Sequence, residues 1–528
     1  MHGILPFLLA MIAAIVLLEM LATRLRVAYP IVLVVAGLLI SFIPGLPAIK
    51  VNPELIFFIV LPPLLFEAAW NISLKEMKKW YRIIGSFAFL VVLFTALAVA
   101  VAANRYIPGF SIALGFLLGG IVSPPDAVST SAITKFVRIP KSTSTILEGE
   151  SLLNDASSLI IFRFALVAIG TGQLIWHQAA LSFVWMVIGG PGTGLLLGWF
   201  FVKLHRILPT DASSDIAFTI IEPYFMYWVG EEIHSSGVLA VVAGGLYMSN
   251  RNLFFLNSAS RIMGYNVWEA FIFILNGIVF LIIGLDLPEI VEGIRSEGIL
   301  LRTAIGYGVL VTGVLVLARM ISAYTAMLAT LIFRRSVMPH TGSRKRQLLL
   351  PLLLGWTGMR GVVSLAAALA IPVTLDNGQN FPHRNLILFI TFIVILLTLL
   401  VQGLTLPFLI NRSKLFEMAS FNMEPEEIAA EKIRKGLKEH TYHFLKTKFD
   451  GEWNGNLHVQ KLLQHWEEKV KLPDDDWRSE KAKNMYFEML NNQRAFLMQA
   501  NQDPLLNEEI IRHQLYLIDL EEERMKLL

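Results

Sequence analysis

The sequence predicts an all-α polytopic membrane protein carrying a helical cytoplasmic tail. Three observations predict it. The first is composition: of 528 residues 55% are hydrophobic and 16% charged, with a mean hydropathy of +0.60. Those values belong to chains that live in lipid. The second is a series of long apolar runs. The third is the side of the membrane on which Lys and Arg fall.

A bilayer core about 30 Å thick takes roughly 20 apolar residues per helix. On that ruler about thirteen spans fall at 4–22, 29–45, 54–71, 82–104, 110–134, 145–170, 178–204, 213–232, 235–250, 267–287, 298–333, 349–373 and 385–411. The span at 235–250 is short, and 298–333 is long enough to tilt or emerge. The opening MHGILPFLLAMIAAIVLLEM lacks a basic n-region and a small-residue cleavage site, so it is expected to stay as the first span. The connecting loops test the count. One side holds 18 Lys and Arg, among them Arg24, Lys78, Arg138, Arg206, Arg261 and Arg344. The other holds 5: Lys50, Arg105, Arg295, Arg302 and Arg384. A missed helix would scramble this bias. Cytoplasmic loops carry the excess of basic residues, so the N-terminus is expected outside and the C-terminus inside a plasma membrane.

Residues 1–411 therefore form the transmembrane domain. Residues 412–528 are charged and helix-forming, with breaks at 451–455 and 473–476, and read as a soluble cytoplasmic tail. Its end, IIRHQLYLIDLEEERMKLL, repeats apolar residues at helical spacing, which suits a helix packed on a partner. No feature names what the tail senses. The chain has no cysteine, which excludes disulfides, Cys-ligated metal and thiol nucleophiles. No Ser-His-Asp set or HExxH motif points to an enzyme, and nothing points to nucleic acid.

Two spans are interrupted. Span five reads LGFLLGGIVSPPDAVSTSAI, with Pro124 and Pro125 at mid-depth. Proline lacks an N–H and clashes with the preceding turn, so the helix must break. Span twelve reads LLLGWTGMRGVVSLAAALAIP, weakened by Gly355, Gly358 and Gly361, with Arg360 in the gap. If thirteen spans divide as six, one linker and six, each broken span is fifth in its half. The linker inverts the second half. This is the pattern of inverted-repeat transporters, where paired broken helices mark the site.

Ionisable residues at the bilayer centre are costly and functional by default. In EGESLLNDASSLIIFRFAL, span six, Glu148, Ser151 and Asp155 share one helical face. Asn154 adjoins Asp155, which lies roughly 15 Å into the helix at about 1.5 Å per residue. Carboxylate, amide and hydroxyl oxygens suit a hard monovalent cation. Glu150 points elsewhere and would neutralise Arg360 or Arg319 of span eleven. Arg163, two turns past Asp155, either shapes the outer path or balances an acid. Glu67 ends LPPLLFEAAW. Asp126 follows the double proline. His234, in WVGEEIHSSGVLA, reads as structural or interfacial, although histidine titrates in a useful range.

LPPLLFEAAW, GESLLND, EEIHSSG, FLNGIVFLIIGL and GMRGVVSLA, in this order, resemble the sodium/proton exchangers of the monovalent cation:proton antiporter family 1, in its bacterial branch with a cytoplasmic tail. The resemblance covers roughly 5–411. It implies a homodimer in which a core domain moves against a dimerisation domain. It implies that Asp155 carries cation and proton, that Asn154 accompanies electroneutral exchange, and that Ser151, Glu67 and backbone near Ser123 assist coordination. It implies an ion pair between Arg360 and Glu150. One departure stands out. Many members carry Thr-Asp-Pro at the first break, whereas Ser123-Pro124-Pro125-Asp126 shifts the acid along the chain, which would turn Asp126 in a different direction.

The expected mechanism is competition. An empty buried carboxylate is costly, so Asp155 takes either a proton or a cation, and the core rocks only when one is bound. No cofactor is expected. The ligands are sodium, with lithium or potassium as alternatives, and the proton. The competing reading is a sodium-coupled symporter of an organic solute on a similar inverted-repeat fold.

Overall fold

The computed structural model describes residues 4–25, 27–43, 53–126, 141–171, 176–333, 349–375, 378–413, 426–448, 464, 466–467, 480–500 and 508–527. The second half of the expected span five, the basic loop at 334–346 and the two expected tail breaks lie outside these residues. The chain divides into two compact units, Met1–Ala419 and Ser420–Leu528.

Among the described residues the first unit is helical, apart from an isolated β-bridge between Thr374 and Asn380. Its helices are α1 (Ile4–Leu25), α2 (Tyr29–Ile40), α3 (Pro53–Asn71), α4 (Leu74–Gly85), α5 (Val92–Tyr106), α6 (Ile112–Val122) and α7 (Lys141–Thr171). Next come α8 (Trp176–Ile207), α9 (Ala212–Glu232), α10 (Gly237–Ser249), α11 (Asn252–Phe255), α12 (Ser258–Leu285) and α13 (Leu287–Ser296). The last are α14 (Leu301–Phe333), α15 (Leu349–Trp356), α16 (Val362–Leu369), α17 (Arg384–Leu397) and α18 (Gly403–Ser413). Two π-helical turns are inserted, Ser86–Val91 between α4 and α5 and Thr398–Gln402 between α17 and α18. Six stretches are long and apolar enough to cross a membrane: Met77–Tyr106, Thr145–Thr171, Leu181–Ile207, Ser258–Ser296, Leu301–Ala326 and Arg384–Leu409.

What positions the site is the packing of α6. It starts at Ser111, whose Oγ accepts the Leu114 N–H at 3.2 Å and so satisfies one orphan donor of the first turn. Its Gly115 and Gly119 lie directly against the backbone of Ala100 and Ala96 on α5, where an added Cβ would collide with main-chain oxygen. Small residues one turn apart let two helix backbones touch, and lipid offers no hydrophobic drive to replace that contact. On its other flank α6 packs on α7, and α16 packs on both α6 and α17.

In the second unit, α19 (Glu426–Lys448) is followed by α20 (Glu480–Ala500) and α21 (Glu508–Leu527). Helix α21 packs on α20, where Leu490 and Ile518 are buried. Arg494 bonds Asp519 at 2.6 Å and Glu522 at 2.5 Å. Those carboxylates hold its guanidinium above its ordinary range. The apolar stripe expected to meet a partner thus has one within the tail itself.

Candidate functional site: a crossing of two broken helices

The two interruptions meet. Helix α6 stops at Val122: Ser123 keeps helical angles and its N–H still bonds Gly119 O at 2.9 Å, but Pro124 and Pro125 have no N–H to continue the ladder. Helix α15 stops at Trp356 and α16 restarts at Val362, leaving Thr357–Gly361 non-helical at the glycines. The Asp126 N–H donates to Met359 O at 2.7 Å, joining one break to the other. Arg360, fully buried, donates from Nε to Val122 O at 2.7 Å and from Nη2 to Ser123 O at 3.1 Å. Its Nη1 bonds Gly358 O. The last carbonyls of a helix lack partners and carry the negative end of its dipole. Arg360 supplies both donors and positive charge there.

Asp155 stands beside this crossing on α7. It is buried, as are Ser151 one turn earlier and Asn154. Ser151 Oγ donates to Pro125 O at 3.1 Å and so pins α7 to the first break. No hydrogen-bond partner for either amide atom of Asn154 or for Ser123 Oγ is found among the described residues. Asp126 is buried and lies within electrostatic reach of Asp155. Its Oδ2 rests on Gly361, where any Cβ would collide with it. Asp126 thus faces the second break, a direction the expectation had left open.

Other expectations change as well. Glu150 Oε1 bonds Arg319 Nη1 at 2.7 Å, with both side chains buried. The pair is thus Glu150 with Arg319, and Arg360, still within electrostatic reach of Glu150, spends its donors on main-chain carbonyls. Glu148, expected on the face of Ser151 and Asp155, is exposed, although Thr145 and Ile146 before it and Glu150 after it are buried. Glu67 is half-buried on α3, accepts from Asn71 Nδ2 at 2.5 Å and lies within reach of Glu269. Arg163 pairs with Glu231 of α9, so it balances an acid. Glu231 also accepts the Gly237 N–H at 3.0 Å, capping α10. His234 is exposed and has φ 54°, the left-handed turn that lets the chain reverse from α9 into α10.

One cluster escaped the sequence reading. His205 Nδ1 meets Asp215 Oδ1 at 2.9 Å and its Nε2 meets Glu222 Oε1 at 2.8 Å. Ser260 Oγ donates to Asp215 Oδ2 at 2.6 Å. All four residues are buried, and together they tie α8, α9 and α12. The available signal was Asp215 and Glu222 at i and i+7, on one face of an otherwise apolar helix.

Comparison with known proteins places this arrangement. The profile of the transmembrane sodium/hydrogen exchanger family matches residues 8–412. A sodium, potassium, lithium and rubidium/H+ antiporter of Bacillus pumilus is 34% identical over 387 residues, covering 72% of this chain and 57% of its own length. The chain thus spans little more than half of that relative. A Na+/H+ exchanger of Mycobacterium tuberculosis is 32% identical over 413 residues, covering 77% of this chain and 74% of its own. In three dimensions the sodium proton antiporter MjNhaP1 of Methanocaldococcus jannaschii matches with a TM-score of 0.62 at 16% identity. That match covers 79% of this chain and 98% of the other, a likeness of fold. On the extent of the profile match and the identity to these relatives, the chain belongs to the sodium/hydrogen exchanger family of multi-pass membrane proteins.

Proposed function

We propose that this protein exchanges a monovalent cation for a proton across the plasma membrane, with Asp155 binding the two in turn. The observation that carries the proposal is a buried carboxylate beside two helix breaks that bond to each other. Asn154, with an orphaned buried amide, and Asp126, Ser151 and the backbone around Ser123 surround the position a cation would take. Buried polar atoms without partners are costly, and an arriving desolvated cation would meet them. Sodium leads as substrate, with lithium and potassium next. The breadth printed in the Bacillus relative's name supports that range. Exchange of one charge for one charge is electroneutral, and the core rocks between its two openings only with Asp155 neutralised.

About thirteen spans in a six-one-six inverted repeat, N-terminus outside, best accommodate the basic-residue bias of 18 against 5. A cytoplasmic tail from residue 412 and a homodimeric assembly complete the reading, the former supported by the separate unit Ser420–Leu528. The family assignment favours exchange over the organic-solute symporter.

The test is dye-reported proton flux in proteoliposomes challenged with lithium, sodium and potassium. Asp155→Asn is expected to abolish flux while the purified protein keeps its helical content and thermal transition. Substantial exchange by that variant overturns the role of Asp155.

A further inference from the structure

The second break needs something to hold it. Helix α15 ends at Trp356, with the Thr357 N–H still on Leu353 O at 2.8 Å, and α16 begins at Val362, so the N–H groups of 358–361 lie beyond the α15 ladder in a buried setting. Among these, the N–H of Arg360 donates to Thr398 Oγ1 at 3.2 Å. Thr398 is itself buried, and its hydroxyl donates to Ile395 O at 3.1 Å. A hydroxyl has one proton and two lone pairs. Donation to Ile395 fixes the proton toward its own helix and leaves a lone pair facing the break.

Thr398 is also the first residue of the π turn Thr398–Gln402, in which the Gly403 N–H reaches Thr398 O five residues back. Such single π turns are inserted at functional positions at a cost in helix regularity. On the other side of the same break, Trp356 Nε1 donates to Thr405 Oγ1 at 2.9 Å. Thr398 and Thr405 are seven residues apart, about two helical turns, so the two hydroxyls meet the break at Arg360 and at Trp356.

We infer that Thr398 is a positioning residue for ion binding. Its hydroxyl sets the backbone of residue 360, and three contacts of the crossing depend on that setting. The Met359 carbonyl receives the Asp126 N–H. The Arg360 guanidinium reaches Val122 and Ser123. Gly361 lies under the Asp126 carboxylate. Loss of the hydroxyl orphans a buried N–H and shifts all three together, beside Asp155. The inference rests on the exchange reading above.

The experiment is cation-dependent proton flux in proteoliposomes of the full chain, with KM for sodium and lithium and the maximal rate measured separately. Thr398→Val keeps shape and removes the hydroxyl. It is expected to raise the cation KM about tenfold, the scale of one orphaned buried N–H, with the maximal rate held within about twofold. Thr398→Ser restores a KM within about twofold of the parent. Thr398→Ala, which removes the hydroxyl without filling the space, follows Val. Thr312→Val, which deletes an intrahelical hydroxyl that donates to Gly308 O at 2.8 Å, is the control expected to match the parent. A parental KM in Thr398→Val, or Ala and Ser behaving alike, overturns the inference and leaves exchange intact. Absence of cation-driven flux in the parent overturns the proposed function instead.

Discussion

At the residue scale, Glu150 and Arg319 illustrate what a buried charge demands. Both side chains are out of water, and each still has polar atoms without partners among the described residues. Removing one partner strands the other in the interior, at a cost of about 3–5 kcal/mol. Glu150→Gln is therefore expected to lower the thermal midpoint sharply in detergent, and the double variant with Arg319→Met to recover much of the loss. A double variant no more stable than the single one would show that the pair is not the unit. His205 makes a parallel case: His205→Ala leaves Asp215 and Glu222 without their shared partner and should destabilise the junction of α8, α9 and α12, read by the same melt. These residues also show what a sequence conveys. Helical spacing located Asp155 and Ser151, because α7 is regular there. It put Glu148 on their face without showing that this residue is exposed, since spacing does not say what packs against each turn. It counted acids against arginines correctly but could not pair them, because Arg319 and Arg360 are equally charged and only geometry separates a carboxylate partner from carbonyl partners.

At the element scale, the docking of α6 on α5 is set by two glycines. Gly119→Val would drive a side chain into the backbone of Ala96, which has no rotamer to yield. Overpacking of this kind costs about 1–3 kcal/mol or more, and it should both lower the melting midpoint and weaken exchange, since α6 carries the first break. Gly306→Ala, where an added Cβ meets nothing within 4 Å, is the matched control and is expected to leave both unchanged. The breaks themselves were legible, although a proline pair alone does not make one: Pro62 and Pro63 lie inside α3, which continues through them. The direction of Asp126 was not, since periodicity rules end where the helix does. The brace from Thr398 was hidden for a related reason: nothing in the spacing of TLLVQ tells a π turn from an α-helical one.

At the scale of the whole molecule, the proposed one-for-one exchange at Asp155 sets a measurable property. A cycle that moved net charge would feel about 2.3 kcal/mol per charge per 100 mV. Flux through proteoliposomes is therefore expected to be independent of an imposed diffusion potential, and a steep voltage dependence would rule out one-for-one exchange. The hydrogen bonds that build the crossing all join residues of the unit Met1–Ala419. A chain ending at Ala419 should retain exchange, with altered regulation, checked by the same flux assay. Alternation of lipid-length runs and loop charge suggested this layout from sequence because the bilayer imposes one length and one charge asymmetry on every span.

Arg360 grips its neighbours only by their main chain: the carbonyls of Val122, Ser123 and Gly358 are present whatever side chains those positions bear. Substitution at 122 or 123 leaves such acceptors in place, while substitution at 360 removes every donor at once. Mutational tolerance in this region should thus be lopsided. A saturation library selected for growth in high salt should accept apolar residues of similar size at the buried position 122, fewer at 361 and almost none at 360.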